Sequence, residues 1–449
     1  MKKRFFYVAL AAIALASCTN DEIVDVNPGD AIQFAATTGN VTRAEITTNN
    51  IDNFKVWSFY AADDKKDAGA FFNAEVTRTK ENGAWSNWSY GDPYFWPVTR
   101  NLNFYSVSPV SVDNWETVDM EKHQIPFYIQ AATEGVPAGV DLLYATNIDA
   151  AKGTDGVVNI RFRHALSQIQ FKVKNTNANL KIGVNSIAIV RTKNLGVYQM
   201  PSQTTTASNI EDVKGYWIES EYGYGEDDTA TSKEYRINKG SYEQTNIPDY
   251  GSQSDYLTST RYNTVELEGA TEAIPFTGTY GVGDNQVEHN SLFMLPQTLT
   301  PSVIDAENNT MNLSAGTYLA ISCRIEQKLS DGEYELLWGE KVRAGRAYEI
   351  TPMDVAIPIC NQGQTFTWEQ GKKYIYTIVF GEGAGYDGTP EDDDDDDDDD
   401  DGDDDDDDEV DDTDQEPILV PISFEVTVDD FQDGGEYEVD MKNGNLTEK

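Results

Sequence analysis

The sequence predicts an all-β protein: two tandem β-sandwich domains, then an acidic linker, then a C-terminal strand or hairpin. Three observations carry that expectation. From Asn53 onward, short runs rich in β-branched and aromatic residues are broken by Gly, Asn, Asp and Pro, with no sustained helical period. Near the C-terminus the even positions Ile418, Val420, Ile422, Phe424, Val426 and Val428 are all apolar, while Pro421, Ser423, Glu425 and Thr427 between them are not aliphatic. A strict period of two is a strand that buries one face. Between body and strand lies a tract of almost unbroken aspartate.

Length and composition set the bounds. The 449 residues suffice for two or three domains, and 39% hydrophobic with 11% aromatic content suits globular β domains better than disorder. The formal charge is −45, and residues 391–416 carry 22 acidic groups and no basic one, so the rest still holds −23. So acidic a surface argues against nucleic acid or an anionic membrane as partner. The three His and three Cys lie far apart, without zinc-ligand spacing. Cys323 and Cys360 would pair only if they face each other; two buried free thiols is the favoured reading. No cofactor is expected.

At the N-terminus Lys2, Lys3 and Arg4 precede an apolar run, residues 5–16, too short to span a bilayer. This is a signal peptide. It ends Leu15-Ala16-Ser17-Cys18, followed by Asn20, Asp21 and Glu22. Ile32 and Phe34 then form a short alternating strand. The small polar loop after it holds Arg43-Ala44, and Arg43 is the first basic residue beyond the signal peptide, an accessible site for a trypsin-like protease.

In the body, residues 54–60 are apolar on both phases, which predicts a central strand. Residues 85–97 and 102–107 read as a hairpin pair, and 142–146 as another short strand. Residues 160–173 keep a period of two whose phase changes near Ser167, which implies a bulge, a bend or two strands meeting; the second domain is expected to open here, near residue 156. His164 lies on the apolar phase and reads as a satisfied core histidine, since no nucleophile motif accompanies it. Residues 203–290 are polar and Tyr-rich, long enough that part should form extra strands; Tyr among Ser, Gly and Asn also suits a recognition surface. The runs 292–296, 317–325, 335–338 and 374–380 complete a second β set.

Residues 381–417 read as a linker kept open by like-charge repulsion, 37 residues that could reach ~120 Å fully extended. Asp397, Asp399, Asp401 and Gly402 fit half of an EF-hand loop, but a homopolymer satisfies any Asp pattern, and helices are missing on either side. The strand beyond it would bury six apolar side chains for roughly 9–18 kcal/mol gross. Its own sequence offers one partner, residues 437–441, and a lone hairpin is marginal in water. It therefore needs a groove in its own body or in another subunit. Pro421 removes one ladder donor along it.

Taken together, the chain resembles the fimbrillins, type V pilin subunits and their relatives in Gram-negative anaerobes. The residues that carry the resemblance are Leu15-Ala16-Ser17-Cys18, Ile32-Gln33-Phe34 with Thr42-Arg43-Ala44, Phe162-Arg163-His164-Ala165-Leu166-Ser167, Trp368-Glu369-Gln370-Gly371-Lys372 with Tyr374-Ile375-Tyr376, and residues 422–430. The resemblance implies transthyretin-like sandwiches and a surface lipoprotein acylated at Cys18. It implies that an Arg-specific surface protease cuts between Arg43 and Ala44, removing a placeholder strand with Ile32 and Phe34. The vacated groove then accepts the C-terminal strand of the next subunit, with Ile418, Val420, Ile422, Phe424, Val426 and Val428 as its buried face. The implied organisation is signal peptide 1–17, propeptide 18–43, N-terminal sandwich 44–155, C-terminal sandwich 156–380, linker 381–417 and donor strand or hairpin 418–449. Implied partners are other fimbrial subunits, the protease, the outer membrane through the lipid, and a host or bacterial surface ligand; the implied location is the cell surface and the fimbrium. The alternative is a non-polymerising surface lipoprotein that binds a glycan or protein through its Tyr-rich region. An enzyme is not expected, because no paired carboxylates in a cleft, nucleophile motif or metal set can be assembled from the sequence.

Overall fold

A computed structural model of the chain describes residues 26–37, 51–82, 84–110, 118–129, 140–153, 156–193, 195–206, 208–209, 212–219, 234–238, 264–280, 287–300, 302–305, 310–313, 316–344, 347–359, 365–381, 386–387, 414–415, 423–430, 436–440 and 445–448. Every regular element among them is a strand. The all-β expectation holds, and no helix of the described residues is long and apolar enough to cross a membrane.

Two hydrophobic cores organise the strands. The first lies against a five-stranded antiparallel sheet whose spatial order is Arg163–His164, Leu143–Ala150, Leu102–Ser108, Asn53–Ala61 and Asp67–Thr77. Asn53–Ala61 is therefore interior, as its two apolar phases predict. The opposing layer is small: Gln33–Thr37 runs parallel to Val157–Arg161, and Val26–Ala31 pairs with Phe95–Pro97.

The large sheet is covered on both faces, and the period of two sorts its side chains between the cores. Leu102, Phe104, Leu143 and Ala145 enter the first core. Tyr105, Val107, Leu142 and Tyr144, on the alternate positions, enter the second. A strand buried on both faces reads as a continuous apolar run rather than an alternating one. This also corrects the expected hairpin of 85–97 with 102–107. Leu102–Ser108 pairs instead with Asn53–Ala61 and Leu143–Ala150, while Phe95–Pro97 pairs with Val26–Ala31. A doubly buried strand gains more from two long neighbours than from one short adjacent segment that ends in a proline.

The second core fills the space between two larger sheets. One has the order Ile274–Pro275, Ser167–Asn175, Lys372–Phe380, Ser423–Asp430, Glu436–Asp440 and Asn445–Glu448, with Ser291–Met294 also on Ser167–Asn175. The other is centred on Leu180–Val190 and Tyr318–Lys328. A third sheet, Gln124–Tyr128 with Leu195–Gln199 and Tyr216–Glu219, adds Ile125, Phe127 and Tyr198 to the same core. Arg324, only 2% exposed, donates from its Nη2 to both carboxylate oxygens of Glu266 at 2.9 Å. Gly183 makes this possible, since a Cβ there would sit 1.7 Å from an Arg324 nitrogen. The change of phase near Ser167 is two strands meeting: Phe162 belongs to the first core, Ala165 and Leu166 to the second. The Tyr-rich region does contribute extra strands, among them Tyr216–Glu219, Glu234–Asn238 and Val265–Glu268.

Candidate strand-binding groove

The short strand of Ile32 and Phe34 is part of the first core. Ile32, Phe34 and Ala36 are 1%, 7% and 6% exposed, whereas Gln33 between them is exposed. This is the alternation the sequence predicts, with Ala36 as a third buried position that it did not single out. Burying the Ile and Phe side chains contributes about 1.5–3 kcal/mol each.

Both edges of the strand are held. On one side the Ile32 amide donates to the Tyr94 carbonyl at 2.8 Å, and the Tyr90 hydroxyl donates to the Ile32 carbonyl. On the other side the Gln33 amide donates to the Gly156 carbonyl at 3.2 Å. From there a parallel ladder runs from Val157↔Gln33 to Arg161↔Thr37. Gly156 closes the end of the groove with φ +70, and a Cβ on it would lie 3.3 Å from the Ala31 carbonyl oxygen. Its own carbonyl also accepts from the Trp96 indole at 3.0 Å. A bulkier or right-handed residue would push the two walls apart.

Aromatic rings form the floor. Phe34 meets Phe54, Tyr90 and Phe104 edge-on at centroid distances of 5.9, 5.3 and 6.1 Å. Phe72 and Tyr94 stack at 4.2 Å beside them. Burial pushes the Tyr90 phenol above its ordinary value, which keeps it neutral and a donor. The arrangement performs no bond chemistry. It holds an extended segment by main-chain bonds on two sides and reads its alternate side chains in pockets, which is recognition by strand addition.

The other expected site residues divide. Cys18, Arg43, Ala44, Ile418, Val420 and Ile422 lie outside the described residues, as do Cys360 and most of the acidic tract. Phe424, Val426 and Val428 stand in Ser423–Asp430, which runs antiparallel to Lys372–Phe380 of the same chain, from Lys372↔Asp430 to Val379↔Ser423. Glu436–Asp440 follows as the hairpin partner, and Asn445–Glu448 adds a further strand. His164 is buried with its Nδ1 2.9 Å from Asp141. Cys323 is a fully buried free thiol that burial pushes up. No cluster of possible metal ligands occurs among the described residues.

Tyr90, Tyr94, Trp96, Gly156, Val158 and Ile160 complete the groove and were not assigned to it from sequence. The Trp and Tyr crowding of residues 85–97 was visible, but only as core. Its link to residue 156 joins positions sixty apart, and no local pattern encodes that.

The model for fimbrillin-like proteins matches residues 41–392. The chain belongs to the fimbrillin-like family. Solved structures that resemble the chain include a fimbrial protein from Bacteroides vulgatus, 16% identical with a TM-score of 0.46, over 78% of this chain and 95% of that one. Another is the tip fimbrial protein Mfa3 from Porphyromonas gingivalis with a C-terminal truncation, 10% identical with a TM-score of 0.27, over 73% and 89%. At these values they add nothing to the family match. No curated protein matches the chain.

Proposed function

We propose that this fimbrillin-like chain is a structural subunit of a surface fimbrium that polymerises by exchanging one strand for another. The single observation behind this is the Gln33–Thr37 strand, buried and bonded on both edges, yet supplied by a segment that lies just before Arg43. Removing it would strip backbone partners from both walls and open the floor of the first core to water, a state with strong affinity for a replacement strand. In this reading the precursor is exported and anchored in the outer membrane through acylated Cys18. An Arg-specific surface protease cuts between Arg43 and Ala44, and the C-terminal strand with Phe424, Val426 and Val428 leaves Lys372–Phe380 for the emptied groove of another subunit. The assembled fimbrium serves adhesion to a host or bacterial surface.

The test uses purified precursor without lipid, cut by a trypsin-like protease and followed by N-terminal sequencing and light scattering. The expected result is a new N-terminus at Ala44 and growth of chains that deletion of residues 418–449 abolishes. A cut protein that sheds residues 26–37 and stays monomeric would overturn the reading. One observation favours that second outcome: the eight-residue pairing of Ser423–Asp430 with Lys372–Phe380 already satisfies the C-terminal strand within its own chain. The protein would then be a self-contained surface lipoprotein, binding its ligand through residues 203–290.

A further inference from the structure

The strand in the groove and the strand at the C-terminus carry the same pattern. The first reads Ile32-Gln33-Phe34-Ala35-Ala36-Thr37 and the second Ile422-Ser423-Phe424-Glu425-Val426-Thr427. Ile, Phe and Thr recur at identical offsets, and the fifth position is small or β-branched in both. We propose that the groove takes residues 422–427 of a second copy, parallel to Val157–Arg161, in the one register that puts Phe424 where Phe34 now sits. This rests on the strand-exchange reading above and adds to it the alignment of the incoming residues.

The groove itself discriminates between registers. A slip of one residue would turn Ser423 and Glu425 toward the first core and Phe424 toward solvent. A slip of two in one direction sets Val426 in the pocket that Phe54, Tyr90 and Phe104 form around Phe34, and leaves that pocket without a ring. A slip of two in the other direction sets Pro421 at the position of Gln33, whose amide bonds the Gly156 carbonyl at 3.2 Å, and a proline has no amide to give.

In the proposed register Pro421 falls at Ala31. Ala31 faces Phe95, and the bond beside that pair runs from the Ile32 amide to Tyr94, so Ala31 is the non-bonded rung on that wall. Proline is tolerated there, and Ile422 supplies the amide that Ile32 now gives. The outward positions agree as well: Ser423 and Glu425 replace Gln33 and Ala35. Val426 brings two methyl carbons more than Ala36, which is buried, so the groove must give slightly at that one position.

A second copy is the occupant because, once the strand leaves Lys372–Phe380, the acidic tract extends away from its own body. Its 22 acidic groups repel one another and the net negative body, so a strand released from Lys372–Phe380 is carried outward.

The experiment mixes two full-length variants, both with Cys323 and Cys360 replaced by Ala and both cut after Arg43, one carrying Asn159→Cys and the other Glu425→Cys. Asn159 is exposed and pairs with Ala35, the position Glu425 would take. Neighbouring strands lie ~4.8 Å apart, within reach of a short bifunctional thiol reagent. Ser423→Cys and Thr427→Cys, each mixed with Asn159→Cys, report slips of two, and uncut chain with Asn159→Cys and Ala35→Cys is the positive control. The expected result is cross-linked dimer at least tenfold more abundant with Glu425→Cys than with either slip variant. Dominance of Ser423→Cys or Thr427→Cys overturns the register while leaving strand exchange intact. Bridges confined to single chains, in a variant carrying both Asn159→Cys and Glu425→Cys, overturn the second copy. Chains that grow by light scattering without any bridge overturn the proposal alone. Absence of growth in every mixture overturns the strand-exchange reading and this proposal with it.

Discussion

Phe34 makes the largest side-chain contribution of the N-terminal strand, and three rings meet it edge-on. Phe34→Ala leaves a cavity among them and should destabilise the uncut protein by ~3–5 kcal/mol in chemical denaturation. Tyr90→Phe removes the hydroxyl and with it the bond to the Ile32 carbonyl, and should cost about 0.5–1.5 kcal/mol. If both variants lose the same small amount, the strand is not seated as described. Buried phenols also set an alkaline limit. Burial pushes Tyr90, Tyr105 and Tyr198 above their ordinary value in the folded state. A raised folded-state value gives stability that is fully present below the unfolded value of about 10 and is lost as pH rises through the folded ones. The denaturation midpoint should therefore fall as pH is raised beyond ~10, and replacing Tyr90 with Phe should blunt that fall.

At the scale of single elements, Gln33–Thr37 and Ser423–Asp430 each have a place in the chain, one parallel to Val157–Arg161 and one antiparallel to Lys372–Phe380. Strand ladders are made of backbone groups that every sequence carries, so a strand can move between them when its side chains suit both. Cutting after Arg43 should speed hydrogen exchange of the Val157–Arg161 amides by a large factor until a new strand arrives, and then restore their protection. Exchange that never changes on cutting would mean the N-terminal strand stays in place. Both strands were legible from period two alone. Their partners were not, because alternation reports which face is buried and is silent about what covers it.

For the whole molecule, the decisive feature is the five-stranded sheet whose two faces belong to different cores. Leu102 and Phe104 point one way, Tyr105 and Val107 the other, so neither core can melt without uncovering a face of the sheet they share. Loss of one should carry the other with it. Val107→Ala, on the face of the second core, should lower a single unfolding transition, with tryptophan fluorescence and far-UV circular dichroism coinciding. Two separated transitions would mean that the cores are independent. The coupling also bears on assembly, because the groove strand Val157–Arg161 is followed within a few residues by Ala165 and Leu166 of the second core.

The amino-acid order by itself determined that the protein is all-β, where several of its strands lie, that Ile32 and Phe34 face inward, and that the C-terminal strand needs a partner its own neighbourhood cannot supply. These are local properties: a period of two, turn residues and a charge run are written within ten residues of one another. Only the tertiary structure decided that residues 90–96 and 156–161 are the walls of one groove, that Leu102–Ser108 serves two cores, and that Ser423–Asp430 lies on Lys372–Phe380. Those pairings join positions tens to hundreds of residues apart through backbone bonds common to every residue, and the choice among them rests on the shape of the assembled pockets.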